Sequence, residues 1–552
     1  MTSIVLDTCV LCNSMCDKWG KGGFDNPCFM PSSKTPDLLS EENIKATLQK
    51  YVTNPSPCHS EEEGNLVLYV REKASKVFLT LVMLEKVAHL NDFYTANFTD
   101  KDLPVHGQDP DWSPVHKSSD PEVQVPWECF RKLDKANRKV FITEYQWTFL
   151  APSFSTNPFN YIFPANQPLP FIASGKDDGS EGGFGCVFSI SILKGHHNYD
   201  TPQKSAGSSS SDFQVALKTL KAIDGNETSK KFYLQEQKTL DTMRNLNHPH
   251  LIRALAAYER GEDRGFLFPW ADGGSLLQLW EKTVVVDDGL LSWALGQMVG
   301  IVDGIEKLHG EHNEGTRHGD IKPANILIFK KGEDDKGELK IADVGLAKYH
   351  TTYTRERISA TTTNRGSRRY EPPEVGKSEV GEPGLGSSHQ PFRKFSRKYD
   401  IWSLGCTFVE FLIWLFYGPQ KLKAFFNECK NGVNDCYWEI TPQETVIRQV
   451  ITNWMNDLSA HLPQPSAWWD ILGLIRMRLL VVEVESRANS SELLQRIKKI
   501  QSDSSLDSSY RFGPTLEELT RSRNQIAPPP AISLDMSLSK NYNVIRPRSP
   551  TG

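Results

Sequence analysis

Cysteine is scarce: ten in 552 residues are too few for a disulfide framework, and a reducing compartment would keep them as thiols. Five fall in the first 58 residues, but Cys9, Cys12, Cys16 and Cys28 lack the second closely spaced pair of a four-ligand zinc site. Likewise, His196, His197 and Asp200 read as a polar loop. Long hydrophobic runs are also missing. The most apolar stretch, FVEFLIWLFYG at 408–418, contains Glu410 and falls short of the roughly 20 residues that cross a bilayer, so no transmembrane helix is expected. Neither sign of charge dominates: 63 Lys and Arg against 68 Asp and Glu give a net charge of −5. Without clustered, uncompensated cations, nucleic acid is not the expected partner. The opening MTSIVLDTCVLCNSMCDKW has no basic start and is interrupted by Asp7, which fits neither a secretory signal nor an Arg-rich transit peptide. A cytoplasmic or nuclear location follows as the expectation, and no repeat of fixed period is found.

What is present divides the chain. Its length suggests about three to four compact units. Residues 1–165 read as a separate, partly helical region with its own core, because 66–98 carries Val77, Leu79, Leu81, Val82, Leu84 and Val87 at helical spacing. Trp147, Phe149 and Phe154 read as packing residues. The segment KGHHNYDTPQKSAGSSSSD, between Ile190 and Phe213, is a Gly/Ser-rich insertion between two strand-like segments. A second interruption follows Val375, and 502–552 reads as a disordered Ser/Pro-rich tail.

Four blocks carry chemistry, in a fixed order. In SEGGFGCV, Ser180 to Val187, the glycines Gly182, Gly183 and Gly185 would let backbone N–H groups approach phosphates. In VALK, Lys218 emerges from an apolar strand toward something anionic, and Glu236 on the amphipathic pattern FYLQEQKTLDTMRNL is its candidate partner. HGDIKPANIL places Asp320 and Asn325 five residues apart: a carboxylate that can accept a hydrogen bond from an attacking hydroxyl, and an amide oxygen suited to Mg²⁺. Between them Lys322 can offset charge on a moving phosphoryl group. In LKIADVGLA, Asp343 follows an apolar strand and supplies a second metal ligand. ATP and Mg²⁺ are implied.

In this order the blocks resemble the eukaryotic protein kinase family over 168–500. The resemblance implies an α+β, bilobal fold, with a β-rich N-lobe at 168–268 and a helical C-lobe at 272–500, preceded by the mainly helical N-terminal region. It makes Lys218 the α/β-phosphate lysine, Glu236 its helix partner, Asp320 the catalytic base, and Asn325 and Asp343 the metal ligands. It places Ser180, Gly182, Gly183, Gly185, Val187, Ala216, Lys218, Phe268, Ala271 and Leu327 at the ATP site, Phe268 at the gatekeeper position and Ala271 in the hinge. Lys322 resembles the serine/threonine subgroup. RGSRRYEPPEV resembles the end of an activation segment, where Glu374 would pair with Arg487 of ESRANSSEL, and Asp400 and Trp402 of YDIWSLG fit the helix that follows. QWTFLAPSF and LPFI look like a filamentous-fungal kinase group with an uncharacterised upstream region.

Three positions depart from the family pattern. Ser180 replaces the first loop glycine, Gly319 stands where an Arg usually precedes the catalytic Asp, and Val344 replaces the Phe of the metal-binding turn. The expected function is ATP-dependent transfer to serine or threonine hydroxyls of protein substrates, with no nucleic acid or membrane partner and with 1–165 available to a protein partner. The alternative is a catalytically silent pseudokinase acting as a signalling scaffold.

Overall fold

The computed structural model describes residues 4–15, 19–21, 24–51, 59–108, 110–117, 124–173, 180–181, 185–199, 212–220, 226–310, 316–332, 334–343, 368–376, 396–430 and 435–512. The chain divides into two compact units, Met1–Gly273 with Ile328–Thr351, and Gly274–Leu327 with Thr352–Gly552.

The first unit opens with short helices around a core of their own. Helix Ser75–Met83 has every residue from Val77 to Met83 buried, so from Val77 onward it is buried on every face, as a core helix is, with the Thr80 hydroxyl donating to the Lys76 carbonyl. Its N-cap, Ala74, makes no side-chain cap. The carboxylate of Asp100 supplies one instead, accepting from Lys76 N at 2.9 Å and Val77 N at 3.0 Å and meeting the positive end of the helix. Leu11, Ile44, Phe93, Phe130 and Phe141 pack in the same core, with Phe98 edge-on to Phe93 and Trp127. Trp147, Phe149 and Phe154 are buried, and the Trp147 indole N–H donates to the Ile142 carbonyl at 2.9 Å.

A second core lies in the following sheet. Its strand order is Asn160–Phe163, Ala256–Arg260, Asp263–Pro269, Phe213–Leu220, Gly185–Ile192, Phe171–Ala173, with Ser180–Glu181 also pairing with Gly185–Ile192. All pairings are antiparallel except that of Asn160–Phe163 with Ala256–Arg260. The two strands that flank the insertion pair antiparallel, with Ile192 facing Phe213, and the two-residue period turns Val215 and Leu217 into the core. His196 is not a solvated loop residue. It is buried, with Nε2 accepting from Ser32 N and Nδ1 bonded to the Pro152 carbonyl, both at 3.0 Å. Residues 200–211, Asp200 included, lie outside the described residues.

The second unit is helical. Helix Asp288–His309 is capped by Asp287, which accepts from Leu290 N, and stops at Gly310 with φ +62°. Helix Lys398–Cys429 is two helices joined at a kink, where Gly418 takes φ +84° ahead of Pro419. By length and hydropathy this helix could cross a membrane, yet 94% of its apolar stretch is buried inside the protein. Residues 502–512 are ordered where composition predicts a tail, because helix Ser490–Leu506 runs through Ser502 and helix Ser508–Phe512 follows. Leu493, Ile497 and Ser504 are buried while most of its serines face solvent, so serine content here marks a helix surface. Tyr510 Oη donates to Asp470, and Arg511 Nε to the Ser504 carbonyl. Residues 513–552 lie outside the described residues.

Glu410, on helix Lys398–Cys429, has no exposed surface. Burial pushes its carboxyl up to about 7 despite the opposing pull of Arg369 at 3.7 Å and hydrogen bonds from the Tyr370 and Tyr437 hydroxyls at 3.0 and 3.2 Å. A carboxyl raised on folding binds its proton more tightly in the native state, so stability is full below the ordinary carboxylate range and falls as pH rises through about 7. The expected loss between pH 5 and 9 is on the order of 2–3 kcal/mol. Glu410→Gln should flatten that slope in urea titrations across this range; a variant with the wild-type slope would show that Glu410 does not titrate there.

Candidate active site

Lys218 lies in the central strand Phe213–Leu220, between Val187 on one neighbour and Phe266 on the other. Its side chain is only 8% exposed, which an ammonium tolerates only when paired. Nζ is 2.9 Å from Glu236 Oε1 and 2.8 Å from Asp343 Oδ1. Burial alone would push the lysine down, but Asp343 and Glu236 together outweigh it and hold the group charged, above its ordinary range.

The two carboxylates differ. Glu236 is buried on helix Asn226–Leu246, and its Oε2 has no partner among the described residues. The Asp343 side chain is 45% exposed, at a residue with φ +61° just beyond strand Glu338–Ile341. That strand is fixed by Ile341 N donating to the His250 carbonyl and Ile252 N to the Ile341 carbonyl, each at 2.9 Å. Glu236 is therefore a fixed interior counter-charge, whereas Asp343 presents carboxylate oxygen to solvent. The direct Lys218–Asp343 contact is not foreseen in the sequence, where 125 residues separate the pair.

The other nucleotide-site candidates in this unit lie along the same strands. Phe268 is buried opposite Ala216, Ala271 is half-buried just after that strand, and Ser180 faces Val187 in the sheet register. Gly185 pairs with Leu220. Gly182 and Gly183, like Val344, lie outside the described residues.

The second unit contains the Asp320 loop. Lys322 Nζ donates to Asp320 Oδ2 at 2.7 Å, and Asn325 Nδ2 donates to the same oxygen and to the Asp320 carbonyl, both at 2.9 Å. With both amide hydrogens directed at Asp320, the Asn325 oxygen is the group left to face a cation. Leu327, half-buried, bridges to Ser275.

The loop is clamped by Asp400, fully buried in helix Lys398–Cys429. Asp400 accepts from His318 N and Gly319 N at 2.7 Å each, and its Oδ2 is 2.8 Å from His309 Nε2. Burial would raise this carboxyl, but the His309 bond and charge prevail and hold it below the ordinary range. Gly319 has φ +77°, a conformation glycine adopts freely and a side-chain-bearing residue does not. Asp400 reads in the sequence only as a helix residue; the 82 residues to His318 offer no spacing rule that would reveal its grip on the loop.

Arg487 has no exposed side-chain surface and makes a two-pronged pair with Glu374 at 2.9 and 3.1 Å, plus bonds to the Lys398 and Val481 carbonyls. Five guanidinium donors in a fixed fork suit this arrangement, which fastens the PPEV segment in place.

Comparison with known proteins agrees with this architecture. A family model described as "Protein kinase domain" matches residues 204–496. Among curated relatives, "Serine/threonine-protein kinase PKH3" of Eremothecium gossypii is 32% identical over 237 residues, covering 42% of this chain and 29% of that protein. "Mitogen-activated protein kinase kinase kinase 3" of Arabidopsis thaliana is 30% identical over 195 residues, covering 35% and 27%. "Serine/threonine-protein kinase cds1" of Schizosaccharomyces pombe is 31% identical over 171 residues, covering 31% and 32%. The matched stretch thus spans under a third of each of these relatives. The family match begins after the glycine-rich block, but strand Gly185–Ile192, which begins within that block, pairs with the lysine strand. It extends over more than half of the chain and takes in the lysine strand, the Asp320 loop and the Asp343 strand together, so this chain belongs to the protein kinase family.

Proposed function

We propose that this protein is an active, ATP-dependent serine/threonine protein kinase. The observation that carries the reading is Lys218, a buried ammonium kept charged by two carboxylates of which only Asp343 opens to solvent. Lys218 and the backbone of the glycine-rich turn would hold the nucleotide phosphates, and Phe268, Ala271, Val187, Ala216 and Leu327 its base. Asp320 would accept the proton of the substrate hydroxyl, and Lys322 would balance charge near the transferred group. Asn325 and Asp343 are hard oxygen donors of the kind Mg²⁺ selects. Bound Mg²⁺ supplies neutralising charge to the phosphates.

Two relatives carry the name serine/threonine-protein kinase, and Lys322 supports the same hydroxyl class. None of the lysine, base or metal-ligand positions is lost, which disfavours the silent-scaffold reading. Protein substrates, a reducing cytoplasmic or nuclear setting and a protein partner for the N-terminal region belong to this proposal. The test is transfer of labelled γ-phosphate from Mg·ATP to a generic basic protein and to the kinase itself. Phosphoserine or phosphothreonine should form with wild type and vanish with Asp320→Asn. Binding of Mg·ATP without any transfer would favour the scaffold.

With Gly319 in place of a cation beside Asp320, nothing at that position can grip a phosphorylated activation segment. Changing Ser359, Thr361, Thr362 and Thr363, all outside the described residues, to Ala should therefore leave at least half of the transfer rate. Loss of transfer in a folded variant would mean that phosphorylation there is required.

A further inference from the structure

Arg244 is the least expected buried charge of the first unit. It lies eight residues beyond Glu236 on helix Asn226–Leu246, about 12 Å along the axis, and is only 7% exposed. Its Nη2 donates to the Thr156 carbonyl at 2.8 Å and its Nη1 contacts the Leu255 carbonyl at 3.5 Å. The guanidinium carbon lies 4.5 Å from the centre of the Phe159 ring. A cation in the last turn also meets the negative end of the helix.

Thr156 and Phe159 belong to the connection from the N-terminal core to the sheet, and this connection is held along its length. Phe154 N donates to the His196 carbonyl and Asn198 N to the Phe154 carbonyl, at 2.9 and 2.8 Å. Strand Asn160–Phe163 then adds to Ala256–Arg260 in parallel register. Arg260 in turn reaches Asn26 Oδ1 at 3.2 Å, and Asn26 exchanges two 2.8 Å bonds with the Leu169 backbone. Asn26 within the N-terminal region and the connection that follows its core are thus both fastened to the sheet, and Arg244 fastens the Glu236 helix to the same connection.

We propose that Arg244 is a positioning residue: it braces the helix that carries Glu236 against the 154–163 connection, so that the N-terminal region is a built-in support for the Lys218–Glu236 pair. The consequence for nucleotide binding rests on the proposed function; the consequence for helix order does not.

The experiment compares full-length wild type, Arg244→Met, Arg244→Lys, Glu236→Gln and the Arg244→Met/Glu236→Gln double variant by Mg·ATP affinity and by hydrogen exchange. Arg244→Met should weaken Mg·ATP about tenfold, the size of a typical coupling between linked sites, and speed exchange in 226–246 but not in 256–269. Arg244→Lys, which keeps a donor for Thr156, should recover most of both. In the Glu236→Gln background Arg244→Met should add little to the loss of affinity, because the two act through one pair. Additive losses, or exchange that rises evenly through 226–246 and 256–269, would overturn the brace and leave Arg244 a general packing residue. Should wild type neither bind Mg·ATP nor transfer phosphate, the functional reading fails on its own; selective exchange in 226–246 then supports the brace, and unchanged exchange overturns it.

Discussion

Asp320→Asn should lower phosphoryl transfer by about 10³-fold, within the roughly 10²–10⁴ that a positioned general base contributes, while leaving the protein folded. The amide is nearly isosteric, and its oxygen can still accept from Lys322 Nζ and Asn325 Nδ2, the two groups that hold Asp320 Oδ2. Its NH₂, however, is a donor where the substrate hydroxyl needs an acceptor, and it carries no charge to balance the departing proton. The ion pair lost with Lys322 is partly solvated, with side chains 19% and 17% exposed. Its removal should shift stability by no more than about 1 kcal/mol. The readout is labelled phosphate transferred per minute, beside a urea midpoint that confirms the fold. A variant that keeps a tenth or more of wild-type transfer would remove Asp320 from the role of base.

Residues whose chemistry needs a short, fixed spacing are the most legible in the sequence. Asp320, Lys322 and Asn325 sit within six positions of one another, and the structure joins them through the 2.7 and 2.9 Å bonds of one loop. Lys218 stood out because a lysine inside a strand of Val, Ala and Leu demands a counter-charge, and the amphipathic pattern around Glu236 offered one 18 residues on. Contacts across long separations carried no such signal. Nothing in the local sequence of Asp343, Asp400 or Arg244 says which distant groups they meet. Strand Asn160–Phe163 is also hidden: it is a four-residue edge strand whose Tyr161 and Phe163 are only half-buried against the core while the apolar Ile162 is 85% exposed, too short a run for its alternation to show. Serine content misleads in the other direction at 502–512, which holds the end of helix Ser490–Leu506, packed through Leu493 and Ile497, and helix Ser508–Phe512.

The effect expected to be largest on stability comes from Asp400→Asn. A carboxylate offers two acceptor oxygens, and Asp400 uses Oδ1 for Gly319 N and Oδ2 for His318 N and His309 Nε2. An amide can replace only one oxygen, so its NH₂ must face either Gly319 N or the His318 and His309 donors, and the less damaging choice still sets two donors against each other in a fully buried site. Losing a charge-assisted bond costs about 1.5–3 kcal/mol, and an unpaired buried donor adds about 1–3. A total of about 3–5 kcal/mol is therefore expected, a large part of the 5–15 kcal/mol that stabilises a typical domain. The native carboxyl is held below its ordinary range, so its contribution is fully present above that range and is lost only as pH falls through the depressed value. The destabilisation should accordingly be the same at pH 6 and pH 8, unlike the sloping response expected of Glu410. Because the same bonds orient Gly319 just before Asp320, phosphate transfer should also fall under conditions where the variant remains folded. Equal urea midpoints for variant and wild type would mean that the loop is held by its neighbours and not by this carboxylate.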